Sequence, residues 1–195
     1  MLSKEKFHEL FRCQKCGPSQ NYFELQNVLT YIENHFKEEQ GPKVILEIGT
    51  FHGGTLRFWR ELVSKDGLVI SLDLNDRGFI SEVQEEYKDD QRVKFIIADS
   101  TALTTPDKVQ EVLGERTADI LFIDGAHDFM SVTSDVDSYS KFVHSGGLVI
   151  LHDIIGSGPK QKWETIFRCP IKSYTGMVTF FGEINPCGIG VLVRK

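Results

Sequence analysis

Leu46-Glu47-Ile48-Gly49-Thr50-Phe51-His52-Gly53-Gly54 is the stretch on which the reading of this chain turns. A short apolar run ends at Ile48, three glycines follow within six residues, and an amphipathic segment opens at about Thr55. Glycine adopts backbone conformations closed to other residues and lets a ligand approach the main chain closely. The stretch therefore predicts a first strand over Lys43–Ile48, a nucleotide-type turn, and a helix over Thr55–Ser64.

The same alternation continues downstream. Further strands are expected over Leu68–Asp73, Val93–Ala98, Asp119–Asp124 and Leu148–Asp153, as short apolar runs suited to strands covered on both faces. Helical spacing lies between them, over Ile80–Tyr87, Pro106–Leu113 and Phe129–His144. Strands alternating with helices through short connections predict an α/β, doubly wound, Rossmann-like fold. Five parallel strands and a terminal antiparallel pair, Ser173–Phe181 and Ile189–Val193, make a mainly parallel seven-stranded sheet, with a helix near Trp163–Phe167. Upstream, Phe7, Leu10 and Phe11 share one helical face and Leu25, Val28, Leu29, Ile32 and Phe36 form a longer stripe. The expected organisation is one domain over 1–195: a helical cover (1–40), a cofactor-binding core (41–155) and a C-terminal helix with antiparallel strands (156–195).

Composition narrows the partners. A formal net charge of -6 offers no basic footprint for a phosphate backbone, so nucleic acid is not expected. No apolar run approaches the ~20 residues that cross a bilayer, and residues 1–12 have no apolar signal region, so the expectation is a cytoplasmic protein without a membrane partner. A small-molecule substrate fits better, and the apolar helical N-terminus leaves a homo-oligomer open. Cys13 and Cys16 stand at CxxC spacing, but Cys169 and Cys187 supply no second tight ligand pair, so four reduced, ordinary cysteines are expected.

The loop spacing separates two cofactor classes. A dinucleotide fingerprint needs G-x-G-x-x-G, whereas this loop reads G-x-x-x-G-G. Glu47, two residues before the first glycine, would repel a pyrophosphate and attract a cation, and S-adenosylmethionine carries a sulfonium and an ammonium. Asp73, twenty-four residues after Gly49, ends the second strand where a ribose diol is held, which serves either cofactor.

The ordered set E-I-G-T-F-H-G-G, S-L-D-L, A-D-S at Ala98–Ser100 and F-I-D-G-A-H ending at His127 resembles class I S-adenosylmethionine-dependent methyltransferases, over roughly residues 41–155. The resemblance implies a cofactor site from Glu47, Gly49, Thr50, Phe51, Gly53, Gly54, Asp73, Leu74 and Asp124, with Asp99 and Ser100 beside the adenine. Each acid also reads as a helix cap or turn residue.

At the reaction side, the fourth and fifth strands end in Asp124-Gly125-Ala126-His127 and His152-Asp153, facing one crevice. Two carboxylates suit Mg²⁺, and an added imidazole widens the choice to other divalent cations. Such an ion lowers the proton affinity of a hydroxyl, and His127 is the candidate general base. The pattern resembles the metal-dependent sugar and natural-product O-methyltransferases and the cephalosporin hydroxylase-like group, which implies Asp124, His152 and Asp153 as the metal residues; His152 stands where that group carries a carboxylate. The expected function is methyl transfer from S-adenosylmethionine to a hydroxyl of a small molecule, a sugar or secondary metabolite. The alternatives are a non-catalytic S-adenosylmethionine binder and a nicotinamide-dependent oxidoreductase.

Overall fold

The computed structural model of the chain describes residues 2–13, 17–74, 78–168, 173–184 and 186–195. Among the described residues seven strands run β1 (Val44–Ile48), β2 (Leu68–Asp73), β3 (Val93–Ile97), β4 (Ala118–Ile123), β5 (Val143–His152), β6 (Tyr174–Phe180) and β7 (Ile189–Arg194). They form one sheet of order β3-β2-β1-β4-β5-β7-β6. The first five are parallel, and β7 enters antiparallel between β5 and β6. The expected Rossmann-like α/β sheet with its antiparallel edge is present. The strand order reverses at β1 and β4, so their carboxyl ends open the crevice in which ligands of such sheets lie.

Every side chain of β1 is buried, and successive residues serve opposite faces. Val44, Leu46 and Ile48 join a core with helices α5 (Thr105–Leu113), α6 (Phe129–Tyr139) and α7 (Ser157–Arg168). Ile45 joins the other core, with α1 (Lys4–Phe11), α2 (Tyr22–His35), α3 (Gly54–Leu62) and α4 (Ile80–Glu86). The N-terminal helices are thus part of the layer that buries one face of the sheet. Side chains start three of these helices: Ser3 accepts from Lys6 N at 3.1 Å, Asn21 from Phe23 N and Glu24 N, and Asp128 from Ser131 N at 3.0 Å.

Three expectations are corrected. The helix expected to reach His144 ends at Tyr139; a 3₁₀ turn spans Ser140–Phe142, and Val143 already pairs with Ala118. Tyr139 is fully buried and donates its hydroxyl to Ser100 O at 2.7 Å, which fixes the end of α6. Helix α7 starts six residues before the expected Trp163, because a proline in the first turn costs no intrahelical bond. Cys13 is disulfide-bonded, not reduced; Cys16 and Cys169 lie outside the described residues, and Cys187 carries a thiol.

Candidate active site

Gly49 has φ +91°, and a Cβ there would stand 2.1 Å from the carbonyl oxygen of Asp124, so the turn after β1 passes directly against the end of β4. Asp73, at the end of β2, accepts the amides of Thr50 and Phe51 on Oδ2 at 2.7 and 2.9 Å and holds the turn open. Gly53 then caps α3 in the left-handed conformation. Beyond these strand ends lies a cavity of about 750 Å³. Gly49, Thr50, Phe51, Gly54, Asp73, Leu74, Asp99, Ser100 and Asp124 line it, as do His127, His152 and Asp153. Asp99 also accepts the amide and hydroxyl of Thr101 on Oδ1, so one oxygen closes a turn.

Glu47 and Gly53 are absent from this wall. The Glu47 carboxyl is fully buried behind it, and Oε1 accepts Thr55 Oγ1 at 2.6 Å and Trp59 Nε1 at 2.7 Å. Burial pushes this carboxyl up to about 8, against the lowering effect of its two hydrogen bonds. Its direct contact with a cofactor is therefore corrected: period-two alternation turns Glu47 to the sheet face that receives α3, where it ties the helix to β1.

The reaction side brings together four residues from two strand ends. His152 Nδ1 lies 3.0 Å from Asp124 Oδ1 and 3.4 Å from Asp153 Oδ2. His127 spans the same carboxylates, with Nδ1 3.2 Å from Asp153 Oδ2 and Nε2 3.5 Å from Asp124 Oδ1. Burial opposes the charge on His152, but Asp124 and Asp153 outweigh it and raise this imidazole to about 10. Burial likewise opposes ionisation of Asp124, yet His152 and His127 hold it below the usual carboxylate range. His127 is half-exposed, and its hydrogen bond to Asp124 raises it above 6.5. Asp124, His152 and Asp153 place donor atoms within 4.8 Å of one another, so the set fits a divalent cation. As His152 stands, Nδ1 acts as hydrogen-bond donor to Asp124, so the two carboxylates could hold such an ion with the imidazole supporting them.

Residues that the sequence reading did not single out complete the wall. Gln20, 6 % exposed, donates Nε2 to Asp124 Oδ2 at 2.5 Å, while its Oε1 has no partner among the described residues. Gly17, Pro18 and Ser19 line the cavity beside it, and a Cβ on Gly54 would meet Pro18 Cα at 2.5 Å. Gln20 stands 104 residues from Asp124 in no periodic pattern, so nothing in the sequence marked it. Phe79 joins Phe51 and His52 in a ring cluster on the wall, with the His52 and Phe79 rings stacked at 3.9 Å.

Residues 46–154 match the family described as methyltransferase domain, more than half of the chain. A stretch of 140 residues is 29% identical to an uncharacterized protein of Acanthamoeba polyphaga mimivirus, covering 65% of this chain and 58% of that protein. The chain thus spans less than two thirds of that relative. Among solved structures, an O-methyltransferase from Bacillus cereus in complex with S-adenosylhomocysteine superposes with a TM-score of 0.66 at 18% identity, over 97% of this chain and 90% of that one. The O-methyltransferase TomG from Streptomyces achromogenes, in complex with S-adenosylmethionine, gives 0.65 at 15% identity, over 97% and 86%. MycE from the mycinamycin biosynthetic pathway, with Mg and S-adenosylhomocysteine, gives 0.66 at 18% identity, over 97% and 53%.

Proposed function

Because the chain belongs to the methyltransferase domain family, we propose that it transfers the methyl group of S-adenosylmethionine to a hydroxyl of a small molecule, a sugar or secondary metabolite. The observation that carries this reading is His127, held between Asp124 and Asp153 on the wall of a cavity that begins at the glycine turn. The residues fit the cofactor. Gly49 and Gly54 line the cavity at the turn, and Oε1 of Gln20, without a partner among the described residues, suits an ammonium group beside Asp124. TomG and MycE, both of natural-product pathways, support the acceptor class.

When bound, S-adenosylmethionine supplies an electrophilic methyl on a sulfonium. Asp153 Oδ2 accepts from His127 Nδ1, which fixes the tautomer and leaves Nε2 as the base nitrogen. Nε2 receives the proton of the acceptor hydroxyl as its oxygen takes the methyl group. Asp124 and Asp153 spread the resulting positive charge. Asp124 and Asp153 would hold a divalent cation, whose chemistry would be to lower the proton affinity of the acceptor hydroxyl.

Titration calorimetry with S-adenosylmethionine and S-adenosylhomocysteine, with and without Mg²⁺ or Mn²⁺, tests the first half of the reading. Micromolar binding of both ligands is the expected result. No binding under any condition overturns it, and binding without transfer to any hydroxylated acceptor returns the protein to a cofactor binder. For the second half, His127→Ala is expected to lower kcat by about 10²- to 10⁴-fold while cofactor affinity holds.

A further inference from the structure

At the cavity wall, a second group of three potential metal donors comes together around His152. Glu24 comes from α2, His152 from the end of β5 and Cys187 from the loop before β7. Each offers one donor atom, and these atoms lie within 4.8 Å of one another. We propose that Glu24, His152 and Cys187 form a metal site of their own, which takes a borderline divalent cation of the zinc class.

Four observations carry this. The first is His152 itself: it is 4 % exposed, Nδ1 is committed to Asp124 and Asp153, and Nε2 has no hydrogen-bond partner among the described residues. A buried nitrogen left without a partner calls for one. The second is its support: Asp124 and Asp153 hold the Nδ1 side, so a cation that displaces the Nε2 proton meets a ring already oriented for ligation. The third is the rigidity of the other two donors. Glu24, fully buried, accepts the amides of Gly182 and Gly188 on its separate oxygens at 2.7 and 3.0 Å, which fixes the carboxylate and leaves each oxygen a lone pair. Cys187 is held by its carbonyl, which accepts Ile155 N at 3.1 Å. The fourth is charge: Glu24, Asp124 and Asp153 all face this one imidazole, and a buried excess of carboxylates is stabilised by a cation.

The donor chemistry separates this site from the carboxylate pair beside it. Thiolate, imidazole and carboxylate together select zinc-like ions, while two carboxylates select Mg²⁺. Cys187 also lines the cavity, so an ion held there borders it. The assignment does not depend on the methyl-transfer reading.

The test uses the full chain stripped of metal and titrated with Co²⁺ in the absence of cofactor. One Co²⁺ per chain with a thiolate-to-cobalt charge-transfer band is expected; one equivalent of Zn²⁺ bleaches it, Cys187→Ser abolishes it, and Asp153→Asn retains it. Absence of the band in the unsubstituted protein overturns the proposal. So does a band that survives in Cys187→Ser or disappears in Asp153→Asn. Should Cys187→Ser fail to fold by circular dichroism, alkylation of the unsubstituted protein with peptide mapping decides. Zn²⁺ is expected to slow modification of Cys187 by at least about tenfold, and an unchanged rate means that the three donors surround a water. Cofactor binding, read by calorimetry on the same sample, reports separately on the proposed function.

Discussion

Glu47 is a carboxyl placed where charge is expensive, and the fold keeps it by giving it two donors and a proton. Its value of about 8 stands above the 4.5 of an exposed glutamate, so ionisation opposes folding. The sign follows: the penalty is absent below 4.5, accumulates as the pH rises, and is complete above about 8. Stability from urea unfolding is therefore expected to fall across that window by at most about 1.4 kcal/mol per pH unit from this group, and Glu47→Gln is expected to flatten the slope. Glu47→Ala has a different effect, leaving Thr55 Oγ1 and Trp59 Nε1 buried without an acceptor. A loss of about 2–4 kcal/mol is expected for it. His127 is also raised, but because its neighbours favour the charged form. As a base it works only when neutral, so kcat/KM is expected to rise with pH through a midpoint above 6.5, and Asp153→Asn to move that midpoint down. A midpoint unmoved in Asp153→Asn would separate the two residues.

The position of His127 is set by elements more than by its own contacts. Gly158, in the first turn of α7, donates its amide to His127 O at 3.1 Å, and a Cβ there would meet Asp128 C and Phe129 N at 2.3 Å. Backbone cannot yield as a flexible side chain can, so Gly158→Ala must move α7 away from the start of α6. A loss of about 1–3 kcal/mol is expected, together with a fall in kcat larger than the change in cofactor affinity, as steady-state kinetics and calorimetry would show. The same contact explains why α7 starts before the expected Trp163. Gly156, Gly158 and Pro159 read as punctuation, yet the close approach requires the glycine at 158 and the first turn tolerates the proline. At the end of α6, the spacing from Tyr139 to Val143 is helical, but Val143 gains a strand partner in Ala118. Tertiary pairing overrides periodicity there.

Across the whole molecule, the ends of the chain close on the site. Glu24 reaches the amides of Gly182 and Gly188, 158 and 164 residues away, and Asn21 Nδ2 donates to Ile184 O at 2.8 Å. Glu24→Gln keeps one acceptor oxygen and sets an amide NH₂ against a backbone N–H, so in the presence of chelator a loss of about 2–3 kcal/mol in urea unfolding is expected. A smaller loss would mean that the C-terminal loop is held by the antiparallel strands alone. The sequence by itself determined the alternation of strands and helices, the parallel sense of the first five strands and the turn at Gly49, because these follow from local periodicity and from the conformations open to glycine. It also marked Asp73, Asp99, Asp124, His127 and Asp153, which stand at or just beyond strand ends and so reach one crevice in any sheet of this kind. Only the tertiary structure decided that Glu47 faces α3, that Gln20 joins Asp124, and that Glu24 and Cys187 flank His152. These depend on which face of a strand a side chain takes and on contacts between residues far apart in the chain, which no local pattern encodes.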